Sequence, residues 1–314
     1  MDKSSYFIEG KALFGSYPCQ ESVKELEDMG VCLFINLTTH LETLEPYVLS
    51  SPNKMLSFPI PDRKIPEDFV GFSLFIMNII RNIYSFTPHQ KLYVHCKGGH
   101  GRAGIVVACI LCYYYNITPD KALTLTTQYH YQRKEMRAKW RSIGSPQTYR
   151  QKNFVMKMFE PLRFYKAYKT GMTTGFSNFS NHPVKLHLFQ QTFDTSEAAF
   201  NAFKDPTNLD YIEKLVTART PFIAKDLSKK CNLRVDWYER REEFMTEVIL
   251  NKSQQHPDFY NNLINSGLRP IIHHTRKDKF WGDGPDGSGQ NILGKILMNI
   301  RWRIFKKLNN ELSL

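Results

Sequence analysis

Apolar positions in the first half of the chain fall in short blocks whose spacing alternates between strand-like and helix-like. ALFGSYP reads as a strand ending in a turn, and ESVKELEDMG as a short helix closed by Gly30. VCLFINLTT is a compact run of apolar and β-branched residues, the pattern of a buried strand. MLSFPIPDRKIP is a strand running into a loop punctuated by prolines. DFVGFSLFIMNIIRNIYSF carries apolar residues at helical spacing, KLYVHC is a short apolar strand, and GIVVACILCYYYN is a strongly apolar helix. Thr118 and Pro119 then supply the N-cap and first-turn proline of a further helix, PDKALTLTTQY. Strands and helices in alternation predict an α/β domain with a central, mostly parallel sheet flanked by helices. Near residues 160–175 the composition shifts, with Gly171 and Gly175 flanking small polar residues. A boundary placed there gives domains 1–162 and 163–314. The second is predicted to be mainly helical α+β, with short strands around 184–193 and a Gly-rich loop at 282–289.

Composition changes this picture only by exclusion. The 314 residues are 42% hydrophobic, 13% aromatic and 23% charged, a globular balance that removes collagenous and disordered classes. No apolar run reaches the roughly 18 residues of a membrane span, and MDKSSYFIEGKALFGSYP lacks the apolar core of a secretory signal. Six scattered cysteines do not form a disulfide framework, so a reducing, intracellular (cytoplasmic) compartment is expected. The net charge of +12 is spread over both halves, 19 basic against 14 acidic residues in 1–162 and 23 against 16 beyond. Such a field favours polyanionic ligands without choosing among them.

Candidate chemistry is concentrated in HCKGGHGRAG, between the strand KLYV and the helix GIVVACILC. Such a junction aims backbone N–H groups and the helix dipole at one point, an anion site. Gly98, Gly99 and Gly101 permit close backbone approach, with Lys97 and His100 completing the loop, and Arg102 offers a fork for phosphate oxygens. The same field favours the thiolate of Cys96 as a nucleophile. Histidine, cysteine, five residues and arginine resemble the signature of Cys-based protein tyrosine and dual-specificity phosphatases, from about Leu13 to Phe159. The resemblance implies that Asp62, in FPIPDRKIP, is the acid for the leaving oxygen, and that Gln151, with Gln147 the weaker match, positions the hydrolytic water. It also exposes a departure: Ala103 stands where the family has Ser or Thr, a hydroxyl that helps the thiolate leave. Losing one hydrogen bond to a developing charge is worth about 10²–10³ in rate.

In the second half FSNFS, FDTSEAAFNAFKD, RVDWYERREEFM, KDKFWGDG and GQNILGKILMNIR follow one another. Singly each reads as ordinary structure: a helix capped by Ser196 with Phe200 and Phe203 in the core, an amphipathic helix, a plain loop. In order they resemble the NADAR family, also called YbiA-like, across residues 174–305. Ala198 departs from it, standing where bacterial relatives commonly have His. The resemblance implies cleavage of an N-glycosidic bond, with ADP-ribose on a guanine base and phosphoribosyl riboflavin intermediates as known substrates. Glu197 and Asp278 are the expected carboxylates for an oxocarbenium-like state. Trp237 and Trp281 offer flat faces, Asn178 and Gly282 belong to the matching motifs, and Lys204 and Asn291 would hold phosphate or ribose hydroxyls. The helix after Gly289 would present its N-terminus to a diphosphate.

Three further features of the sequence bear on partners and metals. RKEMRAKWR (133–141) reads as a solvated basic face near the phosphatase pocket, with recognition of an acidic or nucleic-acid substrate as its functional alternative. Cys109 and Cys112 read as core, and His273 and His274 lack companions at ligand spacing, so neither metal nor cofactor is expected. The expected molecule is a bifunctional hydrolase acting on a phosphorylated or ADP-ribosylated protein, nucleotide or nucleic acid. The alternative is a phospho-binding adaptor, its first domain weakened or disabled by Ala103 and recruiting the second as an ADP-ribose- or nucleotide-binding or glycosidase domain.

Overall fold

The computed structural model describes residues 2–165 and 171–312; residues 166–170, inside the expected linker, lie outside them. Contacts divide the chain into two units, Met1–Glu160 and Pro161–Leu314.

The first unit holds a five-stranded sheet in the order β1-β2-β5-β3-β4. Its strands are β1 (Ser4–Ile8), β2 (Ala12–Ser16), β3 (Val31–Asn36), β4 (Lys54–Ser57) and β5 (Lys91–Cys96). Only β1 runs antiparallel to its neighbour; β2, β5, β3 and β4 pair in parallel. The helices are α1 (Gln20–Asp28), α2 (Phe69–Ser85), α3 (Arg102–Tyr114), α4 (Pro119–Tyr131), α5 (Ala138–Ile143) and α6 (Tyr149–Met158). The α3 residues from Arg102 to Cys112 are all buried, so this helix is apolar on every side, as a central helix must be. Cys109 and Cys112 lie in that core, and burial pushes the Cys112 thiol up to about 12. Thr118 caps α4 by accepting the Lys121 N–H, with Pro119 behind it. β1 was not anticipated, and of the solvated helix face expected at 133–141 only the end is helical, in the short α5.

The second unit is helical around two small sheets, as expected for α+β. Strands β6 (Leu162–Phe164) and β9 (Ile271–His273) pair in parallel, and β7 (Val184–Leu186) with β8 (Gln191–Phe193) antiparallel. Its helices are α7 (Ser196–Ala202), α8 (Leu209–Val216), α9 (Pro221–Leu227), α10 (Trp237–Gln255), α11 (Pro257–Asn265) and α12 (Ile292–Leu312). One core joins Phe164, Phe193, Phe203, Phe244, Leu263 and Leu297. The cap of α7 is Thr195, not Ser196: the Thr195 hydroxyl accepts the Ala198 N–H, while the buried Ser196 hydroxyl has no partner among the described residues. No helix of the described residues is long and apolar enough to cross a membrane.

Candidate functional site

Parallel pairing sets the first site at the ends of the strands. Ser16 sits opposite Cys96, and Asn36 opposite His95, so the loop after β5 opens where its neighbours also end. Gly99 has a φ of +70°, and a side chain there would strike the Gly15 backbone; glycine is required on both counts. No acceptor among the described residues takes the backbone N–H groups of residues 98–104, which is the arrangement of an anion nest. Cys96 is buried at the start of this loop. His95 is fully buried, its Nε2 2.6 Å from the Tyr47 hydroxyl, and burial holds its imidazole down at about 3, hence neutral.

Arg102 opens α3 and is almost wholly buried. Its guanidinium donates to both oxygens of Glu42, with Nη2 2.9 Å from Oε2. It also reaches the Ile60 carbonyl at 2.9 Å and Asp62 Oδ1 at 3.1 Å. The structure thus brings Cys96, Arg102 and Asp62 to one place, with Asp62 mostly exposed and its loop resting on the arginine. Glu42 was missed, since THLETLEP carries no pattern that distinguishes it. Arg133 was misread. It is not solvated but 2% exposed, lying over the Phe14 ring and donating to the Gly99 and Phe14 carbonyls at 2.9 and 3.2 Å. Burial lowers its guanidinium to about 10, still charged at neutral pH. The remainder of that basic stretch is largely exposed, apart from Met136, Trp140 and Arg141. Lys97 is exposed, and its carbonyl accepts the Tyr17 N–H. His100 Nδ1 lies 2.7 Å from His130 Nε2 and its ring stacks on Trp140; burial, then Arg133, lowers it to about 4.

Gln151 requires a correction. It is fully buried in a capping box, its Oε1 accepting the Thr148 N–H and its Nε2 donating to the Lys64 carbonyl. Those bonds make it a brace between α6 and the acid loop. Both Gln151 and Gln147 abut Gly101, where a side chain would meet their amides at 2.9 Å. Gln147 has no side-chain hydrogen bond among the described residues, so its amide is the one available to a water.

In the second unit, α7 presents Glu197 beside the FSNFS loop, and the Glu197 N–H donates to the Asn178 carbonyl at 3.1 Å. Burial pushes the Glu197 carboxyl up, while Lys225, a hydrogen bond from Asn201 and Lys204 pull it back and Asp278 raises it further. Glu197, Asp278 and the two lysines therefore act on one another electrostatically. Lys204 Nζ donates to Ser228 at 3.0 Å, and burial lowers its ammonium. Lys225 and Asn201 were missed. Asp278 uses Oδ1 to hold the Phe280 and Trp281 N–H groups at 2.9 and 2.8 Å, a turn that fixes Trp281 edge-on to Phe200. Gly282 packs where a side chain would strike Thr275 and the His273 carbonyl. Asn178 is 9% exposed, with Oδ1 unpartnered.

Three expectations are overturned here. Trp237 offers no free face, because Phe200, Phe244 and the Lys204 ammonium pack around its ring. Asn291 is committed to β9: its Oδ1 accepts the His273 N–H and its Nδ2 donates to the Ile271 carbonyl, both at 2.9 Å. The N-terminus of α12 is also occupied, since the N–H groups of Ile292 and Leu293 bond the Phe280 and Trp281 carbonyls at 3.1 Å. The sequence marked these residues correctly as belonging together, but their bonds close on the fold.

The FSNFS loop rests on a buried cation. Lys252 Nζ donates to the Gly175 carbonyl at 2.6 Å, the Ser180 hydroxyl at 2.8 Å and the Ser177 carbonyl at 3.2 Å. Burial lowers its ammonium to about 7, while the three oxygens favour the charged form. Nearby, His182, His256 and Asp258 place possible ligand atoms within 4.8 Å of one another. His182 Nε2 is already paired with Asp258 at 2.9 Å and His256 Nε2 with the Pro183 carbonyl at 2.6 Å.

An anion nest with a buried cysteine at its entrance and a separate carboxylate–lysine cluster define a two-domain protein of the phosphatase–NADAR class. Residues 3–155 match the family described as Swiss Army Knife protein, DSP-PTPase phosphatase domain, and residues 163–305 match the NADAR domain. The chain belongs to the family that joins these two domains. It is 30% identical over 300 residues to "Putative tyrosine phosphatase 197R" of Invertebrate iridescent virus 6, covering 95% of this chain and 90% of that protein. Its second domain is 34% identical over 130 residues to "N-glycosidase YbiA" of Escherichia coli (strain K12), covering 40% of this chain and 78% of the relative. Among solved structures, Tk-PTP in its active form aligns with a TM-score of 0.39 at 22% identity, covering 49% of this chain and 95% of that one.

Proposed function

We propose that the protein is a bifunctional hydrolase, a Cys-dependent phosphatase joined to an N-glycosidase acting on ADP-ribosylated guanine or a related N-riboside. The observation that carries the first activity is the conjunction of Cys96, the open N–H groups of its loop, and Arg102 held by Glu42. In this reading the Cys96 thiolate attacks phosphorus, and the bond to the leaving oxygen breaks. Asp62 gives that oxygen its proton. Water, held by the Gln147 amide, then attacks the phospho-cysteine, and the sulfur leaves as thiolate while inorganic phosphate is released. Ala103 provides no hydroxyl to the departing sulfur, so this second step is the slow one.

For the second activity, the supporting observation is a carboxyl raised by burial yet flanked by two ammonium groups. Glu197 stabilises positive charge at the ribose carbon as the bond to the base breaks, and guides the attacking water. Lys204 and Lys225 balance the phosphates of the ribosyl group. Naming the N-glycosidase relative lends support to the class of bond; the guanine adduct is our choice within it. Each activity has a direct test on the full chain. Cys96→Ser should abolish phosphatase turnover and leave phosphate binding intact. Glu197→Gln should lower N-riboside cleavage by at least about 10² while ligand binding survives. A chain that binds phosphate but never turns over, with Ala103→Ser equally inert, would be the adaptor instead.

A further inference from the structure

Phe222 stands at the second position of α9, between the Thr220 cap with Pro221 and the rest of the helix. It is 67% exposed, and its ring meets that of Phe179 edge-on at 5.1 Å and 81°. An exposed phenylalanine alone says little. This pair, however, is tied to Glu197 from two directions. Phe179 follows Asn178, whose carbonyl accepts the Glu197 N–H. Lys225 is one turn beyond Phe222, hence on the same side of α9, and is the foremost charge acting on Glu197.

A second observation points to a ligand. Asn178 is nine-tenths buried, and among the described residues its Nδ2 reaches the Met245 sulfur at 3.4 Å and its Oδ1 has no partner. Buried acceptors are seldom left unpaired in native structures, so a donor belonging to a bound molecule is the natural partner. In an N-riboside the base is attached to the very carbon whose charge Glu197 balances. It is therefore the group held closest to that carboxylate, and its faces need apolar cover.

We propose that Phe179 and Phe222 form the seat of the leaving base, a planar nucleobase carrying an N–H donor for Asn178, and thereby set the substrate class. This rests on the N-glycosidase reading but is separable from it. The probe is guanosine 5′-monophosphate, titrated calorimetrically into the full chain alongside ribose 5-phosphate, which lacks a base. Cleavage of an ADP-ribosylated guanine oligonucleotide is followed in parallel. Phe222→Ala should weaken nucleotide binding and raise KM by about tenfold or more, the effect of losing one stacked base. The change in kcat should be smaller and ribose 5-phosphate binding unaltered, and Phe222→Tyr should restore binding to within threefold. Nucleotide binding equal to the parent's in Phe222→Ala overturns the proposal. So does an equal loss for ribose 5-phosphate, and so does a parent chain that binds no nucleotide at millimolar concentration. If the parent binds the nucleotide through Phe222 yet cleaves no N-riboside, the base seat stands and the glycosidase reading falls. If cleavage proceeds and KM ignores Phe222, the reverse holds.

Discussion

Replacing Glu42 by alanine tests the phosphatase site at the point the structure makes most vulnerable. The Arg102 side chain is 1% exposed and that of Glu42 11%, so their pairing is sheltered from solvent. The substitution removes two charge-assisted hydrogen bonds and leaves a buried guanidinium with the Ile60 carbonyl and Asp62. Breaking a buried pair from one side typically costs about 3–5 kcal/mol. Asp62, 59% exposed, can swing further onto the arginine and recover part of this. That recovery has its own consequence, because on the proposed mechanism it withdraws the acid from the leaving oxygen. We expect Glu42→Ala to lower kcat/KM for para-nitrophenyl phosphate by at least about 10², the scale of losing one positioned donor in the transition state. A net loss of about 3 kcal/mol would bring the thermal midpoint of the first unit down by roughly 6–12 °C for a domain of this size. The pH dependence has a definite sign. Arg102 holds the Glu42 carboxyl below the usual carboxylate range. Its stabilising contribution is thus fully present above that range and is lost as pH falls through the lowered value. The stability gap between parent and Glu42→Gln should be complete at pH 7 and close in acid. Turnover by Glu42→Ala within threefold of the parent would show that Ile60 and Asp62 alone hold Arg102, and would refute the reasoning.

Ala103→Ser restores a hydroxyl next to the thiolate: rapid-quench kinetics should show a burst in the parent, and the substitution should raise the steady-state rate with the burst amplitude kept. Absence of a burst would place the slow step elsewhere. For the second site, the acidic limb of the cleavage rate against pH reports Glu197. Lys225→Met should move that limb to higher pH, since a cation that favours the carboxylate is gone, and Asp278→Asn should move it lower while its Oδ1 still holds the turn. Equal or reversed displacements would remove Glu197 from the rate profile. Lys252→Met leaves the Gly175 carbonyl without its donor, while the Ser177 carbonyl keeps the Ser180 N–H and hydroxyl. It should destabilise the second unit in urea unfolding by about 1–3 kcal/mol, the cost of a buried group left unpaired. A midpoint matching the parent would mean that water replaces the ammonium.

The β/α alternation of the first half was legible because most elements there are strongly apolar or carry their own punctuation, as Thr118 and Pro119 do. The loop from Cys96 to Arg102 was legible because its chemistry is local: nucleophile, glycines and guanidinium lie within seven consecutive residues. What escaped were partners supplied from a distance. Glu42 is sixty positions from Arg102, and Lys225 is twenty-eight from Glu197. Motif residues were over-read for the converse reason. Asn291 sits beside Gly289 in a strongly patterned segment, but the pattern records how α12 docks on β9 and on the turn at Asp278. A motif shows that residues act together; whether they act on a ligand or on the fold depends on bonds that only the tertiary structure reveals.

The Cys96 loop and the FSNFS loop are each backed by a buried cation. A loop that turns its N–H groups toward an anion turns carbonyl oxygens the other way, into the protein, where each needs a donor. Behind the Cys96 loop those donors are the Tyr17 N–H for Lys97, the Arg133 guanidinium for Gly99 and the Ser145 hydroxyl for His100. Behind the FSNFS loop they are Lys252, for Gly175 and Ser177, and the Glu197 N–H for Asn178. In each case a buried cation is aimed at carbonyl oxygens of the loop. A positive charge so placed also adds to the field at the front, where Arg133 acts on Cys96. That charge is retained without a carboxylate partner because carbonyl dipoles, themselves fixed by the loop, stand in for one. The arrangement makes loop shape and cation burial mutually dependent: unfolding the loop exposes the cation, and removing the cation releases the loop. Rigidity of both sites therefore resides in side chains that need never touch a substrate.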